Sequence, residues 1–94
     1  GVIPYLAPEI FESGKYSTAS DAYSMGMIMW EITTGCKPFA NVAHDIKLIY
    51  EIFDGERPKI TEDTPECFAK FMKKCWETDP KKRPSIVEIK NTFR

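Results

Sequence analysis

Apolar residues recur at helical spacing in four stretches of this chain, and strand-like alternation is nearly absent. The longest stretch lies between Ser17, Thr18 and Ser20, which offer N-caps, and Gly35, which offers a C-terminal stop. It holds Ala22, Tyr23, Met25, Met27, Ile28, Met29, Trp30 and Ile32. At about 100° per residue these cover nearly the whole circumference of a helix, and a helix apolar all round must be buried all round. Other helices must then surround it. Ile46, Ile49, Tyr50 and Phe53 form one stripe within a second helix, Ala43 to Asp54, ending near Gly55. Phe68, Phe71, Met72, Cys75 and Trp76 form another, with Thr64 as N-cap and Pro65 at the first position. Ile86, Ile89 and Phe93 mark a last helix opened by a Ser85–Glu88 capping box. Ahead of them, Gly1 to Leu6 reads as loop, and Ala7-Pro8-Glu9 opens a short helical turn broken by Gly14. The expected fold is all-α, with a buried central helix surrounded by amphipathic helices.

Composition narrows the function classes. The 94 residues are 43% apolar and 29% charged, the profile of a globular domain, and the net charge of −1 argues against a nucleic-acid module. No apolar run approaches the roughly 18 residues needed to span a bilayer. There is no start methionine, and "GVIPY" begins inside a loop, so the chain reads as a piece of something longer. Cys36, Cys67 and Cys75 form no CxxC pair and are odd in number, which argues against a disulfide framework or zinc site. Reduced, packed thiols in a cytoplasmic protein are the reading they favour.

The candidate chemical groups are sparse. Asp21 and Ser24 sit in the first turns of the central helix, where the dipole alone favours an acidic residue. Burying Asp21 would demand strong hydrogen bonds, so an exposed end or a bonded anchor are both open. Glu9 follows Pro8, and Arg83 stands before Pro84; spacing alone does not link them. Lys70, Lys73 and Lys74 read as a solvated face near a helix C-terminus, and His44 as a cap or surface residue. The five glycines are scattered, so there is no glycine-rich phosphate loop, and no supported nucleophile set or metal cluster. The residues by themselves describe a scaffold.

Four motifs add a resemblance. "YLAPE" resembles the A-P-E end of an activation segment, and "DAYSMG" resembles D-x-W-S-x-G with Tyr23 in the tryptophan position. "TGCKPF" is similar to T-G-x-x-P-F, and "CWETDPKKRPS" is similar to C-W-x-x-D-P-x-x-R-P-[ST]. Together, in this order, they resemble the C-terminal part of the C-lobe of a eukaryotic protein kinase, of the tyrosine-kinase-like or Ser/Thr branch, over essentially the entire chain.

The resemblance implies an ATP-dependent phosphotransferase as parent, with Mg²⁺ and a protein substrate or docking partner. It implies a structural ion pair between Glu9 and Arg83, a catalytic-loop anchor at Asp21, and a pocket at Val2, Ile3, Pro4 and Tyr5 for the substrate residue after the acceptor. The second helix matches a region used for docking. The nucleotide loop, strand lysine, catalytic-loop Asp and Asn and D-F-G aspartate all precede A-P-E in that family. None is in this sequence, so no catalytic residue, metal ligand or cofactor is expected in the chain, and it is expected to be inactive alone. With that part missing, the central helix would lose neighbours on one side. Val2 replaces the family's threonine and leaves acceptor type open; Tyr5 favours Ser/Thr over Tyr. It also admits a different class, a pseudokinase scaffold that binds protein partners without transfer.

Overall fold

Ser17 opens the longest helix with a reciprocal cap: its Oγ accepts from the Ser20 amide, and Ser20 Oγ accepts from the Ser17 amide. In the computed structural model, which describes residues 2–92, that helix is one of five, and no strand is present among the described residues. Helix α1 covers Pro8–Ser13, α2 Thr18–Thr34, α3 Ile46–Phe53, α4 Glu66–Cys75 and α5 Ile86–Thr92. Single 3-10 turns lie at Ile3–Tyr5 and Pro80–Lys82. Gly14 and Gly35 end α1 and α2 in left-handed conformations, at φ of 70° and 71°.

Helix α2 is the spine, with α4 along one side and the Ile3–Tyr5 and Pro80–Lys82 turns against it; α1 packs on α3. The core joins Ala7, Ile10, Tyr23, Met27, Trp30, Phe71, Met72, Cys75 and Trp76. Gly26 sets how closely α2 and α4 approach. A Cβ there would lie 2.7 Å from Cys75 Cβ and 2.8 Å from Trp76 Nε1.

The all-α expectation is met, but three details differ. The central helix is not buried all round: Ile28 is 51% exposed and Ile32 77%, and Met25 also faces out. Its apolar side chains exceed what the other four helices cover, so one side is left partly exposed. The second helix begins at Ile46, with Asp45 as its cap, rather than at Ala43. It buries Leu48 and Ile52, while Ile46 is 65% and Tyr50 63% exposed. This short helix carries apolar residues on two sides, and a count of the longer row chooses the wrong one. In α4 the cap position falls on Pro65, one residue later than expected, and Thr64 instead bonds Thr61 side chain to side chain. The Ser85–Glu88 box is present, with both of its bonds at 3.2 Å. Phe93, the end of the last stripe, lies outside the described residues.

Gly26→Ala should lower the melting temperature followed by circular dichroism. Overpacking costs about 1–3 kcal/mol and helix propensity returns about 1 kcal/mol. Cys75 Cβ is fixed to the backbone and cannot swing away, so the cost falls at the upper end and the net loss is about 2 kcal/mol. That corresponds to a fall of about 8–16 °C in a chain this size; an unchanged or higher melting temperature would show that α2 and α4 do not meet at Gly26.

Candidate functional site

Arg83 follows the Pro80–Lys82 turn and its side chain is fully buried. A buried guanidinium needs acceptors for every N–H. Nη1 donates to Glu9 Oε2 at 2.7 Å and to the Ala19 carbonyl at 3.0 Å. Nη2 donates to Glu9 Oε1 at 2.8 Å and to the Thr78 carbonyl at 3.4 Å, and Nε to the Glu77 carbonyl at 2.8 Å. The structure thus brings together two residues 74 apart in sequence, in a fork that only arginine can make. Burial alone would raise the Glu9 carboxyl. The Arg83 hydrogen bonds and charge, with a backbone bond, outweigh burial and hold it below the ordinary carboxylate value.

Tyr23 fills the space beside this pair. The guanidinium carbons of Arg83 and Arg57 each lie 5.2 Å from its ring centroid, within cation–π range. Burial pushes its hydroxyl up to about 12 against the pull of both cations, and the oxygen has no hydrogen-bond partner among the described residues. Arg57 was not singled out from sequence. It donates to the carbonyls of Trp76 (2.9 Å), Ile52 (2.8 Å) and Glu56 (2.7 Å) and to Thr78 Oγ1 (3.2 Å), tying the end of α3 to the end of α4. Its one sequence signal is an arginine held between Gly55 and Pro58, two residues that restrict the backbone in opposite ways.

The Val2–Tyr5 segment is a tight turn closed by the Tyr5 amide to the Val2 carbonyl at 2.9 Å. Val2 is exposed and Pro4 is buried. Two bonds fix the turn to α2: Ser24 Oγ donates to the Tyr5 carbonyl at 2.7 Å, and Tyr5 Oη donates to Glu31 Oε1. Lys37 Nζ lies 3.6 Å from Glu31 Oε2. The bond to Glu31, then burial and the carboxylate's charge, raise the Tyr5 hydroxyl to about 12, and the same bond is the main force lowering the Glu31 carboxyl. Neither Ser24 nor Glu31 was assigned this work from sequence; a lone carboxylate inside an apolar helix was the available signal. The turn is a ledge tied to α2 through both the carbonyl and the hydroxyl of Tyr5, with Val2 exposed at its edge.

The other candidates are dispersed. Asp21 is exposed in the first turn of α2, and no hydrogen bond or ion pair involves its carboxylate among the described residues. Lys70 lies 3.4 Å from Glu66 and Lys74 2.6 Å from Glu88, so two of the three lysines of α4 already face carboxylates. His44 Nε2 is 3.0 Å from the Phe39 carbonyl and holds a loop. Of the three thiols only Cys75 is packed, and burial pushes it up to about 12; Cys36 and Cys67 are exposed, one in a turn and one on the outer side of α4, so the expectation of packed thiols is corrected for both. Among the described residues no three His, Cys, Asp or Glu side chains are placed to hold a metal ion, and no glycine loop is present to cradle phosphates. These residues do not fit a nucleotide–Mg²⁺ site.

A family model for protein tyrosine and serine/threonine kinases matches residues 1–93. The R831 protein of Acanthamoeba polyphaga mimivirus, whose name carries the words serine/threonine-protein kinase/receptor, is 41% identical over 85 residues, 90% of this chain and 5% of its own. Mitogen-activated protein kinase kinase kinase 7 of Homo sapiens is 36% identical over 90 residues, 95% of this chain and 15% of its own. The chain therefore spans only a small part of the length of these relatives.

Glu9→Gln keeps the shape and removes the charge, stranding a buried cation that still has three carbonyl acceptors. The expected loss is about 3 kcal/mol, the low end for a broken buried pair. The depressed carboxyl also fixes the pH dependence. Its stabilisation is complete above the ordinary carboxylate value of 4.5 and is lost as pH falls through the lower folded-state value. Denaturant titrations of both proteins from neutral to acid pH should converge as Glu9 protonates; a constant gap across that range would exclude the ion pair as the cause.

Proposed function

The chain belongs to the protein tyrosine and serine/threonine kinase family, and on that premise we propose that it is the substrate-side and structural part of an ATP-dependent protein kinase that phosphorylates serine or threonine. The observation that carries this reading is the family match over residues 1–93. In it, residues 1–94 are a partial kinase domain, running from the end of the activation segment to the last C-lobe helix. Nucleotide and Mg²⁺ would be held by an earlier segment of the longer protein, and no step of the transfer is assigned to this chain. The parent acts on protein substrates in the cytoplasm, in signalling. Among the described residues no helix is long and apolar enough to cross a membrane.

The chain's own residues would position rather than react. Val2, Ile3, Pro4 and Tyr5 receive the substrate residue that follows the acceptor. The bonds from Ser24 and to Glu31 support that role, because a ledge discriminates only if it cannot yield. The Glu9–Arg83 pair holds the segment leading out of the ledge. Asp21, exposed in the first turn of α2, anchors the catalytic loop of the longer protein from below. One observation favours the second reading, a scaffold without transfer: Val2 has no hydroxyl for the catalytic aspartate.

Phosphate transfer from ATP to Ser-, Thr- and Tyr-containing peptides should be measured for the full-length protein and for residues 1–94 alone. The first should label Ser or Thr peptides and the second should neither label nor hydrolyse. Val2→Thr in the full-length protein should raise kcat by roughly 3- to 10-fold, the worth of one hydrogen bond. Chelator-sensitive hydrolysis by the isolated chain would refute the division of labour, and absence of transfer by the full-length protein would favour the scaffold.

A further inference from the structure

Beyond the ledge, a groove of about 780 Å³ opens where the end of α2, the 36–42 loop and the 56–59 segment meet. Its apolar surface comes from Trp30, Phe39, Val42 and Pro58. Its charged groups are Lys37, Arg57 and Lys59 against the single carboxylate of Glu56, on a chain whose net charge is −1. Cations therefore concentrate here against the sign of the whole molecule. Lys59 makes no ion pair among the described residues, and Lys37 reaches only as far as Glu31, at 3.6 Å.

The walls are built before any ligand arrives. Trp30 Nε1 donates to the Lys59 carbonyl at 2.8 Å, locking one wall to the spine. Arg57 Nη1 locks the same wall to the end of α3 through the Ile52 carbonyl. On the other side the Phe39 backbone sits at φ 55°, a left-handed conformation that is strained for a non-glycine residue. The Val42 amide, at 3.1 Å, and His44 Nε2, at 3.0 Å, hold its carbonyl there. Val42, 45% exposed, stands at the rim. A groove whose walls are already tied down costs a ligand little ordering entropy, and cations along it select the charge of what surrounds the inserted group.

We propose that this groove binds an acidic protein segment carrying one aromatic or aliphatic anchor residue. The anchor enters between Trp30, Phe39 and Val42, and flanking carboxylates face Lys37 and Lys59. The proposal does not rest on phosphoryl transfer, because binding is read without ATP.

The test uses the full-length protein and a fluorescein-labelled peptide, Glu-Asp-Glu-Phe-Glu-Asp-Glu, followed by fluorescence anisotropy. Two control peptides replace the acids by their amides or the Phe by Ser. The acidic Phe peptide should bind best, and more weakly as salt rises. Both controls should bind about tenfold more weakly or worse, a comparison that needs no change in the protein. Lys59→Glu and Val42→Asp, both at exposed positions, should each weaken the acidic Phe peptide by about tenfold, with Lys15→Glu as a distant control that does not. Equal binding of the acidic and amide peptides, no binding of any, or indifference to Lys59→Glu and Val42→Asp would each overturn the proposal. So would self-association in sedimentation velocity that Val42→Asp abolishes while peptide binding persists, which assigns the groove to a second copy.

Discussion

A fully buried guanidinium organises this molecule. Arg83 draws acceptors from three separate places: the Glu9 carboxylate, the Ala19 carbonyl, and the adjacent carbonyls of Glu77 and Thr78. None of these can shift without stranding a donor away from water, where each loss costs far more than the bond was worth in solution. The result is location more than stability, since a buried ion pair gains little over an apolar substitute of the same shape. The start of α1, the first turn of α2 and the loop after α4 are all placed relative to one atom group. The ledge at Val2–Tyr5 inherits that placement through the short connection to Glu9.

Helix α2 extends the constraint along its length. Near its start the Ala19 carbonyl accepts from Arg83, in its second and fourth turns Ser24 and Glu31 tie the ledge, and beside Glu31 in the fourth turn Trp30 ties the 56–59 segment. Gly26 lets α4 close against it. Another side, at Met25, Ile28 and Ile32, carries partly exposed apolar surface. One element therefore serves the core, the ledge and the groove, and a change in its tilt would be felt by all three.

Much of this was legible in the sequence, and the failures have physical causes. The limits of α2 could be read because Ser17 and Gly35 are local signals that act through their own backbone. The packed side of α4 could be read because its apolar residues form a single row. The packed side of α3 could not, because two rows compete within eight residues and only tertiary contact chooses Leu48 and Ile52. Spacing never linked Glu9 with Arg83; only the family motifs did. The roles of Arg57, Ser24 and Glu31 left almost no trace, since a side chain bonded to a distant carbonyl imposes no period on the chain.

The meeting of α2 and α4 has a practical corollary for following motion in this protein. Cys75 sits in that contact, solvent-inaccessible and held as the thiol, whereas Cys36 and Cys67 face solvent. An alkylating reagent reaches two sulfurs of the native chain at once and the third only when the two helices part. The rate of that last modification is a clock for the opening of the core, supplied by the molecule without any engineered label.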